Sequence, residues 1–291
     1  VRKRGYGYLL AGAAACVAGF FALLVLAYYV RPTAWLDEAA LNGFTALQRP
    51  GIEDIAYTVA HLFDPFPYGL FVVAAVAAAL RFGGLRRAGA VGVLLVGANV
   101  SSQLLKPLLA YHRPLWEQWH IQNIVDAAYP SGHATAAMAL ALAVLMIVPR
   151  SFRPLAAALG ALLAVALSFS ILVLQWHFPS DIVGGYLIAT AWCMAALAGL
   201  RFADSRWPVK GSMRKAARAA LPAPSTASIV GVGVVTALVL GAIALATRAD
   251  QIVGFAQRHT AFVAVATAIA LAALALLGAV TRASHRADRN R

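Results

Sequence analysis

Residues 170–185 read SILVLQWHFPSDIVGG. They close an apolar run, 155–176, that is long enough to cross a bilayer, since a span needs about 20 mostly apolar residues. The run ends in His177, and Asp181 follows four residues later. If the run is a membrane span, these two ionisable groups sit at its mouth. If it is a soluble core helix, they are an ordinary helix-end pair. The rest of the chain decides between these readings.

The chain has 291 residues, of which 62% are hydrophobic and 12% charged, with a mean hydropathy of +0.76. No soluble domain of this size needs so much apolar surface. Eight apolar runs are candidate spans: 8–30, 66–80, 88–110, 131–149, 155–176, 182–200, 228–247 and 262–281. A transmembrane barrel would show short alternating segments instead. The sequence therefore predicts an all-α polytopic membrane protein. The opening run is too long for the core of a cleaved secretory signal and is read as an uncleaved first span.

The net charge of +13 does not point to nucleic acid, because the basic residues are partitioned along the chain. With the N-terminus inside, 18 of the 24 Lys and Arg residues fall in inner segments and nine of the 11 acids fall outside. That bias orients a membrane protein with both termini cytoplasmic. Residues 1–200 form a six-span core, 201–227 a basic linker that meets anionic lipid, and 228–291 two further spans with a basic tail. Ile52, Ile55, Ala56, Val59, Leu62 and Phe63 recur at helical spacing, predicting an amphipathic helix on the outer surface. Cys16 and Cys193 lie in apolar runs and read as small buried hydrophobes. His61, His112, His120 and His259 read as surface or loop histidines.

In spans three to six the ionisable groups gather at outer ends. Span three finishes LLKPLLAYHRP, with Lys106 and Arg113; span four begins YPSGHATAAM, with Ser131, Gly132 and His133; span five ends at His177, and Asp181 introduces span six. All four places face one side of the membrane, so they can meet in one pocket. Each residue type suits a phosphate. A helix's first turn offers unpaired N–H groups and the positive end of its dipole. Gly132 allows close approach of the backbone, and the Ser131 hydroxyl adds a donor. Lys106 and Arg113 supply charge-assisted hydrogen bonds. Histidine serves as nucleophile or general acid near neutral pH, and an Asp four residues away can hold its second ring nitrogen.

The order Lys106…Arg113-Pro114, Pro130-Ser131-Gly132-His133 and Ser170…His177…Asp181 resembles the motifs of the type 2 phosphatidic acid phosphatase superfamily, the lipid phosphate phosphatases. The resemblance spans about residues 8–200 and implies a six-helix phosphatase-like core; the two additional C-terminal transmembrane helices lie outside it. It also implies roles. His177 forms a phosphohistidine, Asp181 orients it and His133 protonates the leaving group. Lys106, Arg113, Ser131, Gly132 and Ser170 bind the phosphoryl oxygens. Members work without metal or other cofactor, which suits a chain with no carboxylate cluster for magnesium. Partners would be a lipid phosphate or polyprenyl diphosphate substrate and the surrounding membrane lipids, at the extracytoplasmic face of a bacterial-type cytoplasmic membrane.

The third motif departs from the family. An arginine usually follows its serine, and here Ile171 stands there. Losing one preorganised donor at an anionic site costs about 10²–10³ in rate. On a continuous helix Ile171 lies about 9 Å below His177. Two alternatives follow: a phosphotransferase that passes the phosphoryl or headgroup to an alcohol through the same histidine, and a catalytically inactive scaffold. A transporter fits less well, since transporters place polar or broken helices at mid-membrane. Asn99, Ser101, Ser102 and Gln103 are the mid-span polar residues that favour it.

Overall fold

The computed structural model describes residues 6–111, 124–207 and 250–289. Among them the regular structure is helical: α1 (Gly7–Tyr29), α2 (Arg31–Thr45), α3 (Pro50–His61), α4 (Pro65–Leu108), α5 (Gly132–Ile147), α6 (Arg153–Val173), α7 (Pro179–Arg206) and α8 (Thr260–Arg289). Proline opens α2, α3, α4, α6 and α7 within their first two positions, where its missing N–H costs nothing. Five described helices, α1, α4, α6, α7 and α8, are long and apolar enough to cross a membrane, and α5 is a shorter apolar helix. The protein is a multi-pass, all-helical membrane protein.

α4 is two helical arms. Gly84 breaks it with φ 75° and ψ 179°, a conformation open to glycine and strained for other residues. The Asn99 amide donates to the Tyr68 hydroxyl at 2.8 Å, although 31 residues of straight helix would hold them about 46 Å apart. The chain therefore doubles back near Gly84. Residues 65–83 and 85–108 are the two expected spans of this region, packed side by side. Asp64 and Lys106 return to the same end.

α5 and α7 form the centre. α7 packs against α1, α4, α5 and α8, and α5 packs against α4, α6 and α7. Small residues let these helices approach. A Cβ at Gly97 would lie 2.6 Å from the Trp192 ring, and one at Gly160 2.8 Å from the Ala141 Cβ. Trp192 Nε1 donates to Ser101 Oγ at 2.9 Å across the same α4–α7 seam. α8 runs along the bundle from Phe262, whose ring meets Phe44 of α2 at 4.7 Å, to Ala283, whose carbonyl accepts from the Tyr8 hydroxyl of α1 at 3.0 Å.

Three expectations change. The amphipathic segment is α3, with Ala56 and Ala60 buried and Ile52 and Ile55 exposed. It is preceded by α2, which carries buried Asp37 and Glu38 and which periodicity did not suggest. The run 155–176 is not helical to its end. α6 stops at Val173, and the Trp176 N–H bonds to the Ile171 carbonyl while that of Gln175 bonds to Leu172. With Gln175 at φ 56° this is a Schellman termination, so the helical rise does not set the distance from Ile171 to His177. The predicted linker 201–227 begins as the last turns of α7, to Arg206. Its remainder from 208, and the expected span 228–247, lie outside the described residues.

Candidate active site

The turn after α6 brings His177 back against α7. Asp181 stands at the third position of α7, fully buried, and accepts the Phe178 N–H on Oδ2 at 2.9 Å. That bond caps the helix from within, the acidic half of a capping box. The same oxygen faces His177 Nδ1 at 3.4 Å. Asp37 of α2 caps the next residue, accepting the Ser180 N–H at 2.8 Å and its hydroxyl at 2.6 Å. Two carboxylates thus fix the positive end of α7. Burial pushes the His177 imidazole below its ordinary range, against the pull of Asp181. Near neutral pH it is uncharged.

α5 begins beside this pair. Ser131 is its N-cap and accepts the Ala134 N–H on Oγ at 3.3 Å. The Ser131 N–H bonds to the Asp181 carbonyl at 2.9 Å. The glycines that close the stretch 170–185 explain the fit. A Cβ on Gly185 would lie 2.8 Å from the Ser131 carbonyl, and one on Gly184 2.7 Å from the Tyr129 ring. Tyr129 in turn anchors the motif to α1, donating to the Phe20 carbonyl at 2.7 Å.

The second arm of α4 supplies the cation. An added Cβ on Gly132 would lie 3.8 Å from Lys106 Nζ and 2.7 Å from Gln103 Nε2. Lys106 and Gln103 are thus held against the first turn of α5, and the Asp181 carboxylate attracts Lys106. His133 lies within electrostatic reach of His177 and Lys106. Its Nε2 faces Asp64 Oδ1 at 3.4 Å, while Asp64 Oδ2 faces His61 Nδ1 at 2.7 Å. The His61 hydrogen bond holds the Asp64 carboxyl below the usual carboxylate range. Trp176 packs beside His133 and His61, with ring centroids 5.6 and 6.1 Å away.

Of the residues predicted from sequence, Lys106, Ser131, Gly132, His133, His177 and Asp181 come together. Ser170 gives its hydroxyl proton to the Ala166 carbonyl at 2.9 Å, inside its own helix. Ile171 is fully buried in the apolar core. Arg113 lies outside the described residues. Sequence reasoning missed Asp37, Asp64 and Gln103. Asp64 stands just before the proline that opens α4, a cap position that was the available signal. Gln103 is three residues before Lys106 and so shares its helix face.

The arrangement offers a buried neutral imidazole, a second and more accessible imidazole, an ammonium and a helix N-terminus around one point. That set can take the phosphoryl group of a phosphate ester. Among curated proteins none matches the sequence. A solved structure of similar fold is the "first transmembrane PAP2 type phosphatidylglycerolphosphate phosphatase from Bacillus subtilis", with a TM-score of 0.53 and 16% identity over 68% of this chain and 98% of that one. The family model of the PAP2 superfamily matches residues 87–205, from the second arm of α4 to the end of α7. That matched segment carries Lys106, His133, His177 and Asp181.

Proposed function

We propose that this protein is a membrane phosphatase that hydrolyses a lipid phosphate or polyprenyl diphosphate through a phosphohistidine at His177. The observation that carries the reading is Asp181, which at once caps α7, binds the backbone of Ser131 and faces His177 Nδ1. With the Nδ1 proton directed at the carboxylate, Nε2 keeps its lone pair for phosphorus. Nε2 attacks, the P–O bond to the lipid breaks, and His133 gives its proton to the departing oxygen. Water then attacks the phosphohistidine, His133 takes back a proton, and the P–N bond breaks to release inorganic phosphate. Lys106, Arg113 and the N–H groups of the first turn of α5 hold the phosphoryl oxygens. Asp64 orients His133, and Asp37 steadies α7.

The loop-charge bias puts this end of the bundle on the extracytoplasmic face of a bacterial-type cytoplasmic membrane. The lipid tail stays in the bilayer while the headgroup enters beside Trp176 and His133. The mid-span polar groups that favoured a transporter have partners within the protein: Asn99 with Tyr68, Ser101 with Trp192, and Ser102 with the Asn99 carbonyl. The phosphotransferase alternative draws on Ile171, which leaves the site one guanidinium short. Phosphate release from a panel of lipid phosphates and diphosphates, with EDTA present, tests the reading. Release that disappears in His177→Ala supports it. A folded protein that releases none from any lipid, but does so or transfers phosphate once an alcohol acceptor is supplied, moves it to the transferase.

A further inference from the structure

Beside the candidate site, the turn between α3 and α4 carries a carboxylate shared by two imidazoles. Asp64 is the residue before α4, where an Asp ordinarily caps the first turn. Its side chain caps no N–H there, and Pro65 and Pro67 remove two of the donors it could have taken. Its oxygens turn to histidines. Oδ1 faces His133 Nε2 at 3.4 Å, and Oδ2 faces His61 Nδ1 at 2.7 Å. Side-chain exposure falls along this line, from 57% at His61 through 40% at Asp64 to 24% at His133. The line leads from the protein surface to the site.

Aromatic rings hold the outer histidine. Tyr57 and His61 lie four apart on α3, on one face of the helix, with ring planes 18° apart and centroids at 6.0 Å. The Trp176 ring stands 6.1 Å from His61 and 5.6 Å from His133. A histidine in the last turn of α3 suits the negative end of that helix, which accounts for its presence but not for its partner. An exposed ion pair contributes little to stability, so folding does not explain the arrangement either. Positioning does. A carboxylate this exposed can turn to water, and the short bond to His61 fixes the orientation in which its second oxygen meets His133. Among the described residues, the charged or titratable groups around His133 are Asp64, Lys106 of the second arm of α4 and His177 of the turn before α7. Asp64 is the one acid of the three, the sign that suits an imidazolium.

We propose that His61 is a positioning residue for the proton donor: by holding Asp64 against His133 it promotes the departure of an alkoxide leaving group. The proposal rests on the reading of His133 as the acid that protonates the lipid oxygen. As the P–O bond breaks, that oxygen keeps the bonding electron pair and takes the His133 proton; a departing nitrophenolate needs no such proton. The test measures kcat/KM of the full chain in detergent on dioleoyl phosphatidic acid and on p-nitrophenyl phosphate. His61→Ala should lower the first about three- to tenfold and leave the second within about twofold. His61→Asn, whose amide N–H can stand in for Nδ1–H, should recover most of the loss. In an Asp64→Asn background His61→Ala should add less than about twofold, because it acts through that carboxylate. If p-nitrophenyl phosphate is not turned over, this background decides. Equal losses on both substrates, no loss on phosphatidic acid, or a loss that adds to that of Asp64→Asn overturns the proposal. A wild type inactive on phosphatidic acid but active on a lipid diphosphate overturns it while sparing the phosphatase reading; inactivity on both removes the two together.

Discussion

At one end of the bundle imidazoles and carboxylates face each other; at the other, arginines gather beside a small cavity. His177 faces Asp181, His133 faces Asp64, and Asp37 holds the first turn of α7. At the far end Arg87, Arg153 and Arg201 converge on a cavity whose described lining has no acid. Paired groups can exchange a proton and return to their starting state, which suits turnover. A guanidinium keeps its proton near neutral pH and has no such cycle. α4 and α7 carry residues of both ends, so what differs is the choice of ionisable groups and not the scaffold.

The largest expected effect tests the end with the imidazoles. His177→Ala should reduce lipid phosphate hydrolysis by at least about 10⁴-fold while the protein still elutes as a folded species; a smaller loss would move the nucleophile elsewhere. Asp181→Asn should cost about 10²–10⁴ in kcat/KM, and it should also lower the melting temperature, because the same carboxylate caps α7. An activity loss without that shift separates the two duties of Asp181. Placing a charge in the sealed core with Ile171→Arg should destabilise the fold by about 3 kcal/mol, read as a drop in melting temperature. A faster hydrolysis in that variant would show instead that position 171 opens on the phosphate.

A subtler test is the pH profile. Burial lowers the pKa of His177 from 6.5, and in the proposed mechanism its neutral form is the nucleophile. Activity should therefore persist as pH falls to 6.5 and decline only below it, in kcat/KM measured against pH. Asp181 favours the charged imidazolium, so Asp181→Asn should move that decline to still lower pH. The smallest effect expected is for Asp64→Asn, a loss of about tenfold or less in kcat/KM, since in the proposed mechanism its carboxylate acts only by positioning His133.

Much of the fold was legible because a bilayer imposes long apolar runs. The two arms of α4 were legible as separate spans, although their turn at Gly84 was not. Lys106, His133, His177 and Asp181 were legible because motif order and span ends placed them on one face. Asp37 and Asp64 were not, since each lies in a segment without strong periodicity and works through a tertiary contact, with Ser180 and with His133. The end of α6 was also hidden. Leu174, Gln175 and Trp176 read as three more helical residues, and only the left-handed conformation of Gln175 turns the chain. Nothing in residue identity announces that, because glycine is the usual choice there.

The hairpin of α4 has a mechanical consequence. Gly84 is a pivot at one membrane face, and its two arms are levers of about 30 Å that end at Asp64 and Lys106. Opening the pivot by a single degree separates the tips by about 0.5 Å at that length, and misplacement by about 1 Å can cost 10²-fold in rate. The Tyr68–Asn99 hydrogen bond is the latch that ties the levers near their tips. The spacing between Asp64, which faces His133, and Lys106, which lies against the first turn of α5, is thus set from across the bilayer.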